Sequence, residues 1–132
     1  MSSSFTIVVF VTRRPDLSPA EFRDHWENKH IPLLQRLGGE FFPRSHTRHY
    51  LQHEETDDGS DYPIRPLVGD PGNFTYDGFA VVNFASQAAF QQFLPVMTSP
   101  DVLEDEERFT DRAKMKAVEL GDVRATAWKE PI

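Results

Sequence analysis

Residues 5–12, Phe-Thr-Ile-Val-Val-Phe-Val-Thr, are apolar or β-branched throughout, with no charged residue on either side of the alternation. A strand of that kind is covered on both faces or lines a barrel interior. The chain must therefore build a sheet with something packed on each side. The next segment supplies one side. After the turn Arg13-Arg14-Pro15-Asp16, the stretch Ser18-Pro19-Ala20-Glu21 offers an N-cap serine, a proline at the first helical position and a glutamate at the capping-box position. The helix predicted from Pro19 carries Phe22, Trp26, Leu33 and Leu37 on one stripe and stops at Gly38-Gly39. Pro32 lies inside it and is expected to kink or loosen its last turns.

A second strand is predicted over Ser45–Leu51 and a third over Asp77–Phe84. Ser86 then caps a helix bearing Ala89, Phe90, Phe93 and Leu94, which Pro95 should end or bend. Ser99-Pro100-Asp101 opens another, with Val102, Phe109 and Ala113 on its apolar stripe, running to about Arg112 or Ala113. A fourth strand comes next, from Met115 to about Leu120, with an extension toward Trp128 left open. From about His53 to Thr75 the chain carries Asp57-Asp58-Gly59, Pro63, Pro66, Gly69 and Pro71-Gly72, the composition of a long loop that is either a lid or a mobile insertion. This order predicts an α+β, ferredoxin-like domain: a four-stranded antiparallel sheet with helices on one face. The other face would be bare, and a second copy of the chain is its simplest cover, giving a homodimer.

At 132 residues, residues 1–132 make one domain, since two cores would each be too small to offset their own chain entropy. The charge of −7 argues against a nucleic-acid partner, because phosphate contacts need clustered Lys and Arg, here scattered among acids. The N-terminal Met1-Ser2-Ser3-Ser4 has no basic run, and residues 5–11 are too few to span a membrane. With no cysteine in the chain, disulfides and thiolate chemistry are excluded, and a cytoplasmic location is expected.

Helical spacing places His30 in the sector of Phe22, Trp26, Leu33 and Leu37, facing the core, while His25 falls off the stripe and is expected in solvent. On the second strand, His46, Arg48 and Tyr50 share one face, and Thr47 and His49 the other. A row of His, Arg and Tyr suits a pocket wall: Arg48 to hold an anionic oxygen, Tyr50 to donate to a carbonyl, His46 to move protons. The competing reading is an edge strand made polar against aggregation. Glu106 shares the stripe of Val102 and Phe109 and could partner a histidine, or snorkel to water. Trp26, Glu106 and Phe109 are assigned with Arg48 to substrate binding, and His30, His46 and Tyr50 to catalysis. No metal site is expected, because His46 and His49 point to opposite sides and there is no HxH on a strand and no His-x3-His on a helix. The glycine-rich nucleotide motifs and GxSxG are also missing.

The segments TRRPDLSPAEFRDHWENKHIPL, FFPRSHTRHYL, YPIRPLVGDP, FTYDGFAVVNF and DEERFTDRAKMKAV together resemble the EthD domain family, and within it the EthD-like proteins of fungal aromatic polyketide clusters. The resemblance covers nearly the whole chain. It implies a dimeric α+β barrel without a cofactor that acts on an aromatic polyketide intermediate, as a decarboxylase of atrochrysone-type carboxylic acids or as a cyclase or dehydratase. A cofactor-free anthrone monooxygenase and a non-catalytic polyketide-binding accessory protein are the alternatives. The positions that match are His30 of the His-x-Pro motif, His46, Arg48, Tyr50 and Asp70 of Val-Gly-Asp, whereas His49 stands where the resemblance leads one to expect Arg.

Overall fold

The computed structural model describes residues 4–54, 59 and 61–131; Asp57 and Asp58 of the predicted loop and Met1 to Ser3 lie outside the described residues. Strands β1 (Phe5–Val11), β2 (Ser45–Tyr50), β3 (Gly78–Phe84) and β4 (Lys116–Glu119) form one antiparallel sheet in the order β2-β3-β1-β4. With helices α1 (Pro19–His25), α2 (Ile31–Gly38), α3 (Gln87–Met97) and α4 (Pro100–Phe109), this is the ferredoxin-like α+β arrangement. Strand alternation sends Ile7 and Val11 of β1 and Ala80, Val82 and Phe84 of β3 to one face, where Phe22, Trp26, Ile31, Leu34, Phe93, Val102 and Phe109 cover them. Gly78 opens β3 where the packing is tightest: a Cβ there would lie 2.8 Å from the carbonyl oxygen of His49 and 3.4 Å from the Trp26 ring.

The capping box is formed, with the Glu21 amide donating to Ser18 Oγ at 3.1 Å and the Ser18 amide to Glu21 Oε1 at 2.9 Å. The kink expected from Pro32 takes another form. Residues Trp26–His30 make a π turn between α1 and α2, and the Ile31 amide donates to the carbonyl of Trp26 five residues back. A π turn holds one residue more than an α turn, so the stripe beyond it moves by one position. Ile31, Leu34 and Gly38 are therefore buried, while Leu37, expected on the stripe, is 36% exposed.

Pro95 does not end α3, which continues to Met97. It sits on the exposed side, so water replaces the amide donor that Gln91 loses. Helix α4 stops at Phe109, short of the predicted end, because the Thr110 hydroxyl turns back to the Glu106 carbonyl and Thr110 bridges to Arg13. Among the described residues beyond β4 there is no regular structure, and Trp128 is 81% exposed. The described part of the 53–75 loop is tied at its base, with His53 bridged to Ile64 and its Nε2 2.7 Å from Asp77 Oδ1.

Candidate functional site

Between the sheet and the helices the chain leaves a cavity of about 60 Å³. Val9, Val11, Ala80 and Val82 form its floor, and Trp26, Leu34, Phe93, Val102 and Phe109 its walls, with Met97 and Met115 among the remaining lining. Three polar side chains reach it: His30 from the π turn, His46 from β2 and Glu106 from α4.

Hydrogen bonding fixes the proton of each imidazole differently. His30 is buried, with Nδ1 2.8 Å from Asp105 Oδ2. An ionised carboxylate only accepts, so Nδ1 carries the hydrogen and Nε2 keeps a lone pair. Burial holds His30 below the usual imidazole range against the pull of Asp105, so the contact is a hydrogen bond from a neutral ring. Burial alone would raise Asp105, but the hydrogen bonds from His30 and His25 prevail and keep it low.

His46 has the opposite arrangement. Its Nδ1 lies 2.9 Å from Arg48 Nη1, and a guanidinium can only donate, so Nδ1 accepts and Nε2 bears the hydrogen. Burial and then the neighbouring guanidinium hold its pKa down to about 4. One cavity thus contains an imidazole poised as a base and another poised as a donor. Glu106 Oε2 lies 4.0 Å from His30 Nε2, and its Oε1 receives Arg112 Nε at 3.1 Å. Burial pushes the Glu106 carboxyl up, only partly offset by Arg112.

The structure thus gathers His30, His46, Trp26, Glu106 and Phe109 around one space. Arg48, Tyr50 and Asp70 lie elsewhere. Arg48 and Tyr50 share one face of β2 with His46, as alternation predicts, and it is the inward one, but both are turned to Glu27. Arg48 Nε donates to Glu27 Oε2 at 2.6 Å and the Tyr50 hydroxyl donates to the same oxygen, and neither side chain lines the cavity. Burial and the Glu27 carboxylate drive the Tyr50 phenol far above its ordinary pKa, which removes it as a proton carrier near neutrality. Asp70 is exposed and accepts from the Gly72 amide at 2.9 Å, capping a short turn of the loop. None of the described residues of the 53–75 loop lines the cavity.

Three partners escape sequence reasoning: Asp105, Glu27 and His25. Asp105 stands three residues after Val102 and four before Phe109, which is as good a claim to the stripe as that of Glu106. His25, expected in solvent, has a side chain only 15% exposed, with Nε2 3.1 Å from Asp105 Oδ1. Among the described residues no group of three His, Asp or Glu is placed to hold a metal ion, and no helix is long and apolar enough to cross a membrane.

A family model described as the EthD domain matches residues 14–113. No curated protein matches the chain. Among solved structures, it is similar to an EthD-like protein from Ralstonia eutropha, at 11% identity and TM-score 0.56 over 91% of this chain and 90% of that one. An ethyl tert-butyl ether D family protein from Bacillus halodurans gives 12% identity and TM-score 0.53 over 90% and 99%. A variant of SnoaB, a cofactor-independent oxygenase from Streptomyces nogalater, gives 14% identity and TM-score 0.52 over 94% and 97%. At such identities the likeness is one of fold.

Proposed function

Since the chain belongs to the EthD domain family, we propose that it is a cofactor-free enzyme performing acid–base chemistry on an aromatic small molecule, and specifically the decarboxylation of an aromatic polyketide acid. The observation that carries this is His30: a buried, neutral imidazole oriented by Asp105 at 2.8 Å, with its free nitrogen beside an apolar cavity and Glu106 4.0 Å away. In the proposed reaction the carbon–carbon bond to the carboxylate breaks, CO₂ leaves, and the electron pair passes into an enolate. Its oxygen accepts the Nε2 hydrogen of His46. The carbon is then protonated by Glu106 in its acid form or by His30 after it has taken a proton from solvent, so that one proton is consumed for each CO₂ released. No Lys or Arg lines the cavity, so a carboxylate is poorly solvated there, and its loss as neutral CO₂ relieves that cost.

A cavity of 60 Å³ is smaller than the roughly 150 Å³ that accepts one benzene ring. Entry of an aromatic acid therefore requires lining side chains to move. Met97 and Met115 are unbranched and only half-buried, and they are the natural ones to swing. The proposal includes a homodimer, in which a second copy covers the face of the sheet that bears Phe10, Phe79, Val81 and Val118. It also includes a cytoplasmic setting, supported by the cysteine-free sequence.

The test is to incubate the protein with ortho-hydroxy and β-keto aromatic acids and follow product mass and oxygen uptake. Loss of CO₂ that disappears in His30→Ala supports the reading. Loss of water would replace it with dehydration or cyclisation, and gain of oxygen with oxygen uptake would replace it with oxygenation. Binding without turnover would leave an accessory protein.

A further inference from the structure

We propose that His25 is a positioning residue, which sets the proton state of His30 by holding the other oxygen of the carboxylate that His30 uses. This rests on the reading of His30 as a proton carrier of the cavity. The geometry is specific. Asp105 is 8% exposed at its side chain, and its two oxygens are divided between two rings, Oδ1 to His25 Nε2 at 3.1 Å and Oδ2 to His30 Nδ1 at 2.8 Å. Phe109 packs against both imidazoles, stacked on His25 at 4.7 Å and 16° and tilted to His30 at 5.0 Å. The two histidines are five residues apart, which on an α-helix would leave them roughly 140° from each other. The π turn that begins directly after His25 closes over that same five-residue spacing and brings both rings to one carboxylate.

A carboxylate bonded on both sides spends part of its charge on each partner. With His25 in place, Asp105 holds the ring of His30 in orientation without drawing a second proton onto it, and the Nε2 lone pair stays available. His25 opens on its other side to a surface groove with Glu21, Asp24, Lys29 and Arg108, whereas His30 faces the cavity. The remaining charged groups facing the pair are Glu106 with Arg112 behind it, and His46 with Arg48 behind it. Arg108 Nη1 also lies 3.5 Å from Asp105 Oδ1, but its side chain is 59% exposed and therefore largely screened.

The test is a titration of the imidazole resonances by NMR, which needs no substrate. In the unmodified protein, the His30 resonances should report two steps, because the shared carboxylate couples His30 to a second group. A single-step titration of His30 would overturn the proposal. In His25→Phe, which keeps the stack on Phe109 but cannot donate, the His30 midpoint should move to higher pH, and the limb of the kcat/KM profile that His30 sets should move with it. An unchanged midpoint would overturn the proposal, as would an equal movement in Arg108→Gln, which would assign the effect to general surface charge. If His30→Ala retained full turnover, the catalytic reading would fail while the NMR result still decided the role of His25.

Discussion

At the scale of single residues, the cavity divides the polar side chains of β2 into one that reaches it, His46, and two that bond to Glu27 instead, Arg48 and Tyr50. Replacing His30 or His46 by Gln should therefore lower kcat/KM by about a hundredfold or more, the usual worth of a positioned proton carrier or donor. Tyr50→Phe should behave differently. Turnover should stay within a few-fold of the parent, while denaturant unfolding shows a loss of about 1–2 kcal/mol for one hydrogen bond to a carboxylate. A loss of turnover in Tyr50→Phe as large as in His30→Gln would return the phenol to the reaction. His30 and His46 were legible in the sequence, because stripe and alternation report which way a side chain leaves the backbone. What the side chain then meets was not legible. Glu27 lies on one helix and Arg48 and Tyr50 on a strand more than twenty residues away, and no periodicity within either element couples them.

At the scale of elements, the strands, the two Ser-Pro helix starts and the sheet face of β2 follow from local patterns that the structure retains. The first helix departs from its pattern because a periodicity of 3.6 assumes that every turn is an α turn. One π turn shifts the buried set from Leu33 and Leu37 to Ile31, Leu34 and Gly38, and carries His25 to Asp105. Deleting Asn28, an exposed residue of that turn whose side chain bonds only Asp24, should restore a continuous α-helix. Phe22 and Leu34 would remain on the buried side, so the far-ultraviolet dichroism of the variant should match that of the parent. His25 and His30 would then stand four residues apart, roughly 40° from each other on one face, so both should still reach Asp105 and turnover should stay within a few-fold of the parent. A deletion variant whose turnover fell as far as that of His30→Gln would show that the π turn itself is needed to build the site.

At the scale of the whole molecule, two features should govern stability. The first is acid sensitivity. His46 is held at about 4 in the folded chain against 6.5 for an unperturbed imidazole, so the unfolded chain binds more protons between those values and stability declines as pH falls through that window. The loss should reach roughly 2–3 kcal/mol by pH 4. Below that, Asp105, Asp77 and Glu27, in each of which hydrogen bonds outweigh burial and hold the carboxyl low, add losses of the same sign as they protonate. Unfolding midpoints measured from pH 7 to 4 should fall accordingly, and His46→Gln should flatten the upper part of that slope. The second feature is the outward sheet face. Register puts Thr47, Val81, Val8 and Val118 in one row across the sheet and His49, Phe79, Phe10 and Lys116 in the next, and helices α1 to α4 pack on the opposite side. Phe79 and Val81 are only partly buried and Val118 is 51% exposed, so a second copy lying sheet to sheet would remove a continuous apolar band from water. Val81→Lys should then convert a species of twice the 15.2 kDa chain mass in sedimentation into one of 15.2 kDa, and should make the unfolding temperature independent of protein concentration. The cavity lies on the other side of the sheet, lined by Val9, Val11, Ala80 and Val82, so the substitution reaches it only through the stiffness of β1 and β3. If the parent protein sediments as a single chain at every concentration, the apolar pattern of residues 5–12 has been covered in some other way, and the barrel reading of that strand fails with it.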